Sequence, residues 1–304
     1  HEVTVWGRVD SVYDSKVSLR SISLEGIPDS NLMGELKLYQ TFQSEARKFD
    51  VIHDFSHQHL IARHMGNLPT LNIFWHAPSL AQYPKAPYNI IALSKWAKRE
   101  FEKYYKYGAR YQYSIPIDTA LYKQIDNARN DRFLALGRMG VEKGNLEAAL
   151  LCKEIGVPLD IVGARGLEGV QTEYEKKVLE LCDGEKIRFL GEVAEDEKIR
   201  LMQTNRALIY ATSHPEVTSH KEQECLLCGM PIIVSNIGAA SEIVTHGVNG
   251  YLCSNKLEFL NAMKTVDKLN PLSAYNEIRD KWSIENVIRE YEILYQEVAN
   301  GLRW

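Results

Sequence analysis

RFLALGRMGVEKGNLEAALL (Arg132–Leu151) contains a complete strand–turn–helix transition. RFLALG is a short apolar run of strand length, and NLEAALLCKEIG carries apolar residues at helical spacing. Between them Gly137, Gly140 and Gly144 allow a tight turn. Arg138 and Lys143 place two cations beside the helix start, where unpaired N–H groups and the helix dipole favour anions. In open α/β sheets, ligands bind where a strand gives way to a helix in this manner. The order is not that of a Walker A loop, because Lys143 precedes its glycine and no Ser or Thr follows. On this stretch alone, phosphate binding and a plain turn with solvated charges are both open.

The same alternation extends in both directions. Upstream, VIHDF, TLNIFWHA and NIIALS read as strands, and SKWAKREFEKYYKYG reads as a helix closed by Gly108. A strand-like YQYSIPID then leads into the polar stretch KQIDNARNDR, the best candidate linker. Downstream, PLDIVGARG, IRFLGEV, RALIYAT and PIIVSNI read as further buried strands with helices between them. SIENVIREYEILYQEVANGLRW forms a closing helix with a Ser N-cap. The expected fold class is therefore α/β with parallel sheets in two doubly wound domains, residues 1–126 and 127–275. A C-terminal helix, 276–304, is expected to pack back toward the first domain. The chain opens on HEVTVWG, which alternates like a strand already in progress, so residues upstream of His1 are expected.

At 304 residues the chain can bury two cores. The net charge of −4 divides into +2 for residues 1–126 and −6 for the rest, with no basic face of the kind nucleic acid requires. No apolar run reaches the ~18 residues of a spanning helix, and a cytoplasmic location is the expectation. Five cysteines, at 152, 182, 225, 228 and 253, are an odd and scattered set that fits reduced core thiols rather than a disulfide framework.

HPEVTSHKEQECLLCGMP (His214–Pro231) admits two readings. His214, His220, Cys225 and Cys228 have an outline resembling a zinc site, which would need four converging ligands. Against it, the apolar middle of CLLC and the buried strand that follows direct Cys228 into the core. The other reading takes Glu216 in the loop and Glu224 on a helix as carboxylates that accept hydrogen bonds from vicinal hydroxyls. Thr218 and Ser219 between them suit a helix N-terminus.

Taken in order, FLALGRMGVEKG, IRFLGEV, and the PE followed by ECLLCGMPIIVSNIGAASEIVTHGVNGYL closely resemble the donor-binding half of retaining glycosyltransferases of family 4. The resemblance covers about residues 131–255 and implies the GT-B fold, two Rossmann-like domains facing a central cleft. Glu216 and Glu224 match the family's E-x7-E pair, and Arg138 and Lys143 match the cations that neutralise the donor diphosphate. By that resemblance Glu216 contacts the transferred sugar, Glu224 the ribose hydroxyls, and the turn near Val193 the nucleobase. Thr218, Ser219 and His220 fall among the donor-binding positions. The first half matches more loosely. His76 of FWHA aligns with a histidine that faces the transferred sugar; without the family, a histidine ending an apolar strand reads as a core residue.

Three departures from the family stand out. Its Gly-Phe-Gly after the first glutamate is here Val217, Thr218 and Ser219. The apolar run before the second glutamate is replaced by HKEQ. The first Rossmann strand, normally upstream of HEVTV, is not in the sequence. Two weaker features are also present. HDFSHQH brings His53, His57 and His59 together with His64 nearby, readable as a metal cluster, an acceptor rim or a surface loop. Residues 94–113 carry six Lys/Arg against two Glu among aromatic residues, which suits a solvated Rossmann helix or a peripheral contact with the cytoplasmic face of a membrane.

The resemblance implies a retaining, metal-independent hexosyltransferase without a cofactor, moving sugar from a nucleotide-diphosphate donor to a glycan, lipid or small-molecule hydroxyl. His76 and Glu216 would be the catalytic pair. A non-catalytic nucleotide-sugar or glycan-binding protein and a sugar-nucleotide epimerase are the alternatives.

Overall fold

The computed structural model describes residues 2–8, 16–23, 31–75, 88–105, 108–112, 116–125, 128–166, 172–270, 272 and 275–304. The chain divides into two compact units. The first comprises residues 1–93, 97–112 and 290–304, and the second 94–96 and 113–289.

In the first unit, β1 (Thr4–Arg8) pairs in parallel with β2 (Ser18–Ile22). Helix α1 (Asn31–Phe42) precedes a parallel sheet of β3 (Ile52–Asp54), β4 (Thr70–Phe74), β5 (Ile90–Ala92) and β6 (Ala109–Tyr111), paired in that order. Helices α2 (Leu60–His64) and α3 (Lys95–Tyr104) connect them. Every residue of β4 and β5 is buried, as expected of parallel strands covered on both faces. The C-terminal segment closes this unit: the Asn89 amide donates to the Trp304 carbonyl at 3.1 Å, and Trp304 Nε1 donates to Ile90 O at 3.0 Å.

The second unit is built on six parallel strands: β7 (Phe133–Leu136), β8 (Leu159–Val162), β9 (Ile187–Gly191), β10 (Leu208–Tyr210), β11 (Ile232–Ser235) and β12 (Gly250–Cys253). Their order is β12-β11-β10-β7-β8-β9, so the winding reverses between β7 and β10. That reversal is the switch point at which doubly wound sheets bind ligands. The helices are α4 (Asn145–Ile155), α5 (Glu173–Glu180), α6 (Glu195–Thr204), α7 (His220–Leu227), α8 (Ala240–Ile243), α9 (Lys256–Thr265), α10 (Tyr275–Trp282) and α11 (Ile284–Ala299), whose last residues belong to the first unit. The Ser283 hydroxyl accepts from the Asn286 amide at 3.4 Å, forming the expected N-cap of α11.

Strand alternation builds two cores. Leu134, Leu136, Leu208, Tyr210, Ile232 and Val234 point to one face and pack with Cys225, Leu226, Cys228 and Ile243 of the α7–α8 side. Phe133, Ala135, Ile209 and Ile233 point to the other and pack with Ala148, Cys152 and Met263 of α4 and α9. The register pairs Leu208 with both Leu134 and Ile232, which keeps like faces together. On β8, Asp160 is fully buried and ionised. Burial alone would raise its pKa, but hydrogen bonds from Arg188, Asn205 and Arg132 outweigh that and lower it.

Candidate functional site

At the carboxyl end of β7 the chain turns through Gly137–Gly144. Asn145, buried at the start of α4, pins the turn by donating to Gly137 O at 3.3 Å and Arg138 O at 3.0 Å. Gly144 has φ +69°, and a Cβ there would lie 2.2 Å from the carbonyl oxygen of Ala211 at the end of β10. Only glycine permits this approach, and it carries Lys143 over to the β10 side of the switch point.

On that side, the residues after β10 lead to Glu216. The Ala239 amide donates to Glu216 O at 3.0 Å, and Gly238 lies so close that an added Cβ would fall 2.6 Å from the same oxygen. The NIGAA turn after β11 therefore fixes the Glu216 backbone. The carboxylate Oε1 accepts from Lys143 Nζ at 2.6 Å and from the Tyr210 hydroxyl at 2.5 Å. Burial would raise the Glu216 pKa, yet donation from Lys143 and Tyr210 and the charges of Lys143 and Lys221 hold it below the usual carboxylate range. Tyr210 is driven the other way, first by burial and then by the adjacent carboxylate, and stays protonated as a donor.

Thr218, Ser219 and Glu222 join Tyr210 and Glu216 in lining a small cavity between β10, β11 and α8. Ser219 precedes α7 without capping it through its side chain, so the first amides of α7 have no side-chain cap. Arg138 is exposed on the β7 turn and donates to Glu142 Oε1 at 2.6 Å. His220 opens α7; burial lowers its pKa, partly countered by Glu224 one turn on. Glu224 lies 3.4 Å from Lys198 Nζ, which also pairs with Glu195 at 2.9 Å. The Tyr122 hydroxyl donates to Glu195, and Val193 packs half-buried against the neighbouring core.

The structure thus gathers Lys143, Glu216, Thr218 and Ser219 at the switch point, with Arg138 on its rim. Glu224 and Val193 lie further along, beside the Lys198 cluster. His76 falls outside the described residues. Nothing in the sequence marks Tyr210, Lys198 or Lys221 as site residues. Tyr210 looks like one more apolar strand position in RALIYAT, and its hydroxyl has a role only because the strand ends beside Glu216.

The outline that suggested zinc dissolves in three dimensions. Cys225 and Cys228 are fully buried within the α7 core, where desolvation raises both thiols, Cys228 to about 12, while His214 is exposed. In the first unit, His53 is bonded to the Tyr295 hydroxyl at 2.8 Å, His59 stacks on Phe74, and His64 lies against Tyr39. Among the described residues no group of three or more His, Cys, Asp or Glu is placed to hold a metal ion, and no helix is long and apolar enough to cross a membrane.

Residues 123–286 match the family model of the group 1 glycosyl transferases. A probable sucrose-phosphate synthase from Thermosipho melanesiensis is 29% identical over 126 residues, covering 40% of this chain and 30% of that protein, so the match spans less than a third of that relative. Among solved structures, HepE from Anabaena in complex with UDP and glucose aligns with a TM-score of 0.74 at 20% identity, over 94% of this chain and 87% of that one. Sucrose-phosphate synthase from Thermosynechococcus elongatus aligns at 0.80 and 14% identity, over 99% and 90%. At these identities the likeness concerns the fold, and the fold is GT-B with parallel sheets.

Proposed function

Since the chain belongs to the group 1 glycosyl transferases, we propose that it transfers a hexose from a nucleotide-diphosphate sugar to an acceptor hydroxyl with retention of configuration. The observation that carries this reading is the contact of Lys143 with Glu216 at the switch point, beside Arg138 and the first amides of α7. An ammonium paired with a carboxylate can exchange that partner for a phosphate oxygen. Arg138 can exchange Glu142 in the same way. The two cations and the helix N-terminus then stabilise the charge that develops on the leaving diphosphate.

In this mechanism the bond between the anomeric carbon and the phosphate oxygen breaks, and the acceptor oxygen bonds to the same face of that carbon. The acceptor proton passes to the departing phosphate oxygen. Glu216, freed from Lys143 but held by Tyr210, holds hydroxyls of the transferred sugar, and His76 is proposed to share that task. Glu224 holds the ribose hydroxyls, and the turn at Val193 lies against the base. The positive charge this requires is present in the protein, so the reading includes no metal.

UDP is the first nucleotide to try, because the HepE complex contains UDP and glucose. The test is to incubate the protein with UDP-, GDP- and ADP-sugars, with and without a panel of sugar and lipid acceptors, and to assay released nucleoside diphosphate. Release that depends on acceptor supports the transferase. Tight nucleotide binding with no release from any donor would replace it with a binding protein, and donor conversion without acceptor would point to an epimerase.

A further inference from the structure

The polar residues between the two glutamates, His220-Lys221-Glu222-Gln223, do not form a solvated loop. They open α7, and Glu222 and Gln223 are 2% and 3% exposed. The Lys221 side chain is half-buried, with its ammonium turned inward. It donates to Leu136 O, the last carbonyl of β7, at 3.0 Å and lies 3.2 Å from the centre of the Tyr210 ring. It therefore ties together the two strands that flank the switch point, and through Tyr210 it reaches Glu216.

We propose that Lys221 is a positioning residue for Glu216: its ammonium holds the Tyr210 ring and the end of β7, keeping Glu216 in place and ionised when Lys143 turns to the donor diphosphate. The inference rests on the transferase reading above. Among the described residues Glu216 Oε1 accepts from two donors, Lys143 and Tyr210. Once Lys143 engages phosphate, the phenol is left as the principal donor. A cation on the face of a phenol ring withdraws electron density and strengthens donation by the hydroxyl. The Lys221 charge also acts on Glu216 directly, lowering its pKa.

The groups facing this cluster come from every element around it. Lys221 meets Lys143 from the β7 turn, Glu216 from the β10 loop, and Glu222 and Cys225 from its own helix. Burial, followed by the charge of Lys143, lowers the proton affinity of Lys221. Burial raises that of Glu222, whose Oε2 accepts no hydrogen bond among the described residues. Lys221 thus sheds its charge at lower pH than an ordinary lysine, and the support it gives Glu216 fades on the alkaline side.

The experiment compares wild type, Lys221→Met and Lys221→Arg. Glu216 is titrated by carboxylate 13C NMR, its signal assigned by loss in Glu216→Gln, and UDP release from UDP-glucose is followed across pH. In Lys221→Met, Glu216 should titrate about one pH unit higher and kcat for UDP release should fall about tenfold, with UDP affinity within about twofold of wild type. Lys221→Arg, charged at every pH used, should restore the Glu216 titration and abolish the alkaline limb of the kcat profile. An unchanged Glu216 titration in Lys221→Met, or identical behaviour of the Met and Arg variants, overturns the proposal. If Lys221→Met does not fold, Lys221→Arg decides, and a retained alkaline limb overturns it. If wild type releases no UDP from UDP-glucose, that result counts against the donor reading, while the Glu216 titration still decides the role of Lys221.

Discussion

Lys143 Nζ and Glu216 Oε1 lie 2.6 Å apart although 73 positions separate them in the chain. One residue ends the turn after β7 and the other lies in the loop after β10, so the switch point of the sheet brings together a cation and a carboxylate. Each satisfies the other in this structure, and under the proposed function a donor phosphate would compete for Lys143.

Lys143→Met should weaken UDP binding by about 10- to 100-fold, the value of a charged hydrogen bond of roughly 1.5–3 kcal/mol. Glu216→Gln releases Lys143 from its ion pair and should bind UDP at least as tightly as wild type, while losing sugar transfer. Calorimetry with UDP checks both; equal weakening in the two variants would contradict the exchange of partners.

Glu224 pairs with Lys198, whereas Lys143 pairs with Glu216. Glu224→Ala should therefore reduce affinity for UDP by about tenfold, the loss expected for one charged hydrogen bond to a hydroxyl, and leave pyrophosphate binding unaltered. Competition binding with the two ligands separates ribose from diphosphate recognition.

Gly144→Ala should destabilise the second unit by at least about 2 kcal/mol, because left-handed backbone and a collision with Ala211 O act together. Gly108→Ala, where an added Cβ meets nothing within 4 Å, serves as the control and should be close to neutral. Urea unfolding of both variants gives the comparison.

His53 makes the stability of the first unit depend on pH. Burial lowers its pKa from 6.5 to about 4, with the Asp54 charge offsetting only part of the effect. Between those values the unfolded chain binds a proton that the folded chain refuses. Its contribution is therefore fully present above pH 6.5 and declines as pH falls toward 4, by up to about 3 kcal/mol. The urea midpoint should drop across that window in wild type and drop less in His53→Gln.

The strands of the second unit were legible because Leu134/Leu136 and Phe133/Ala135 alternate between two buried faces, a period written in consecutive residues. Two of the described strands were not. β2 (SLRSI) has one buried residue in five, so it carries no apolar run. β12 (GYLC) is a short edge strand entered through a glycine. Within the site, Glu216, Glu224, Arg138 and Lys143 stood out by spacing. Tyr210 did not, because a buried tyrosine in a strand reads as core until the residue opposite its hydroxyl is known.

By itself the sequence determined the α/β architecture, the glycine turn after β7 and the pair of glutamates, since each depends on residues a few positions apart. Tertiary structure alone decided that Lys143 answers Glu216 and that the polar Lys221 and Glu222 turn inward. The physical reason is that backbone periodicity is a local property. The partner of a charge is whatever a distant strand or helix brings within about 3 Å of it, where a hydrogen bond forms.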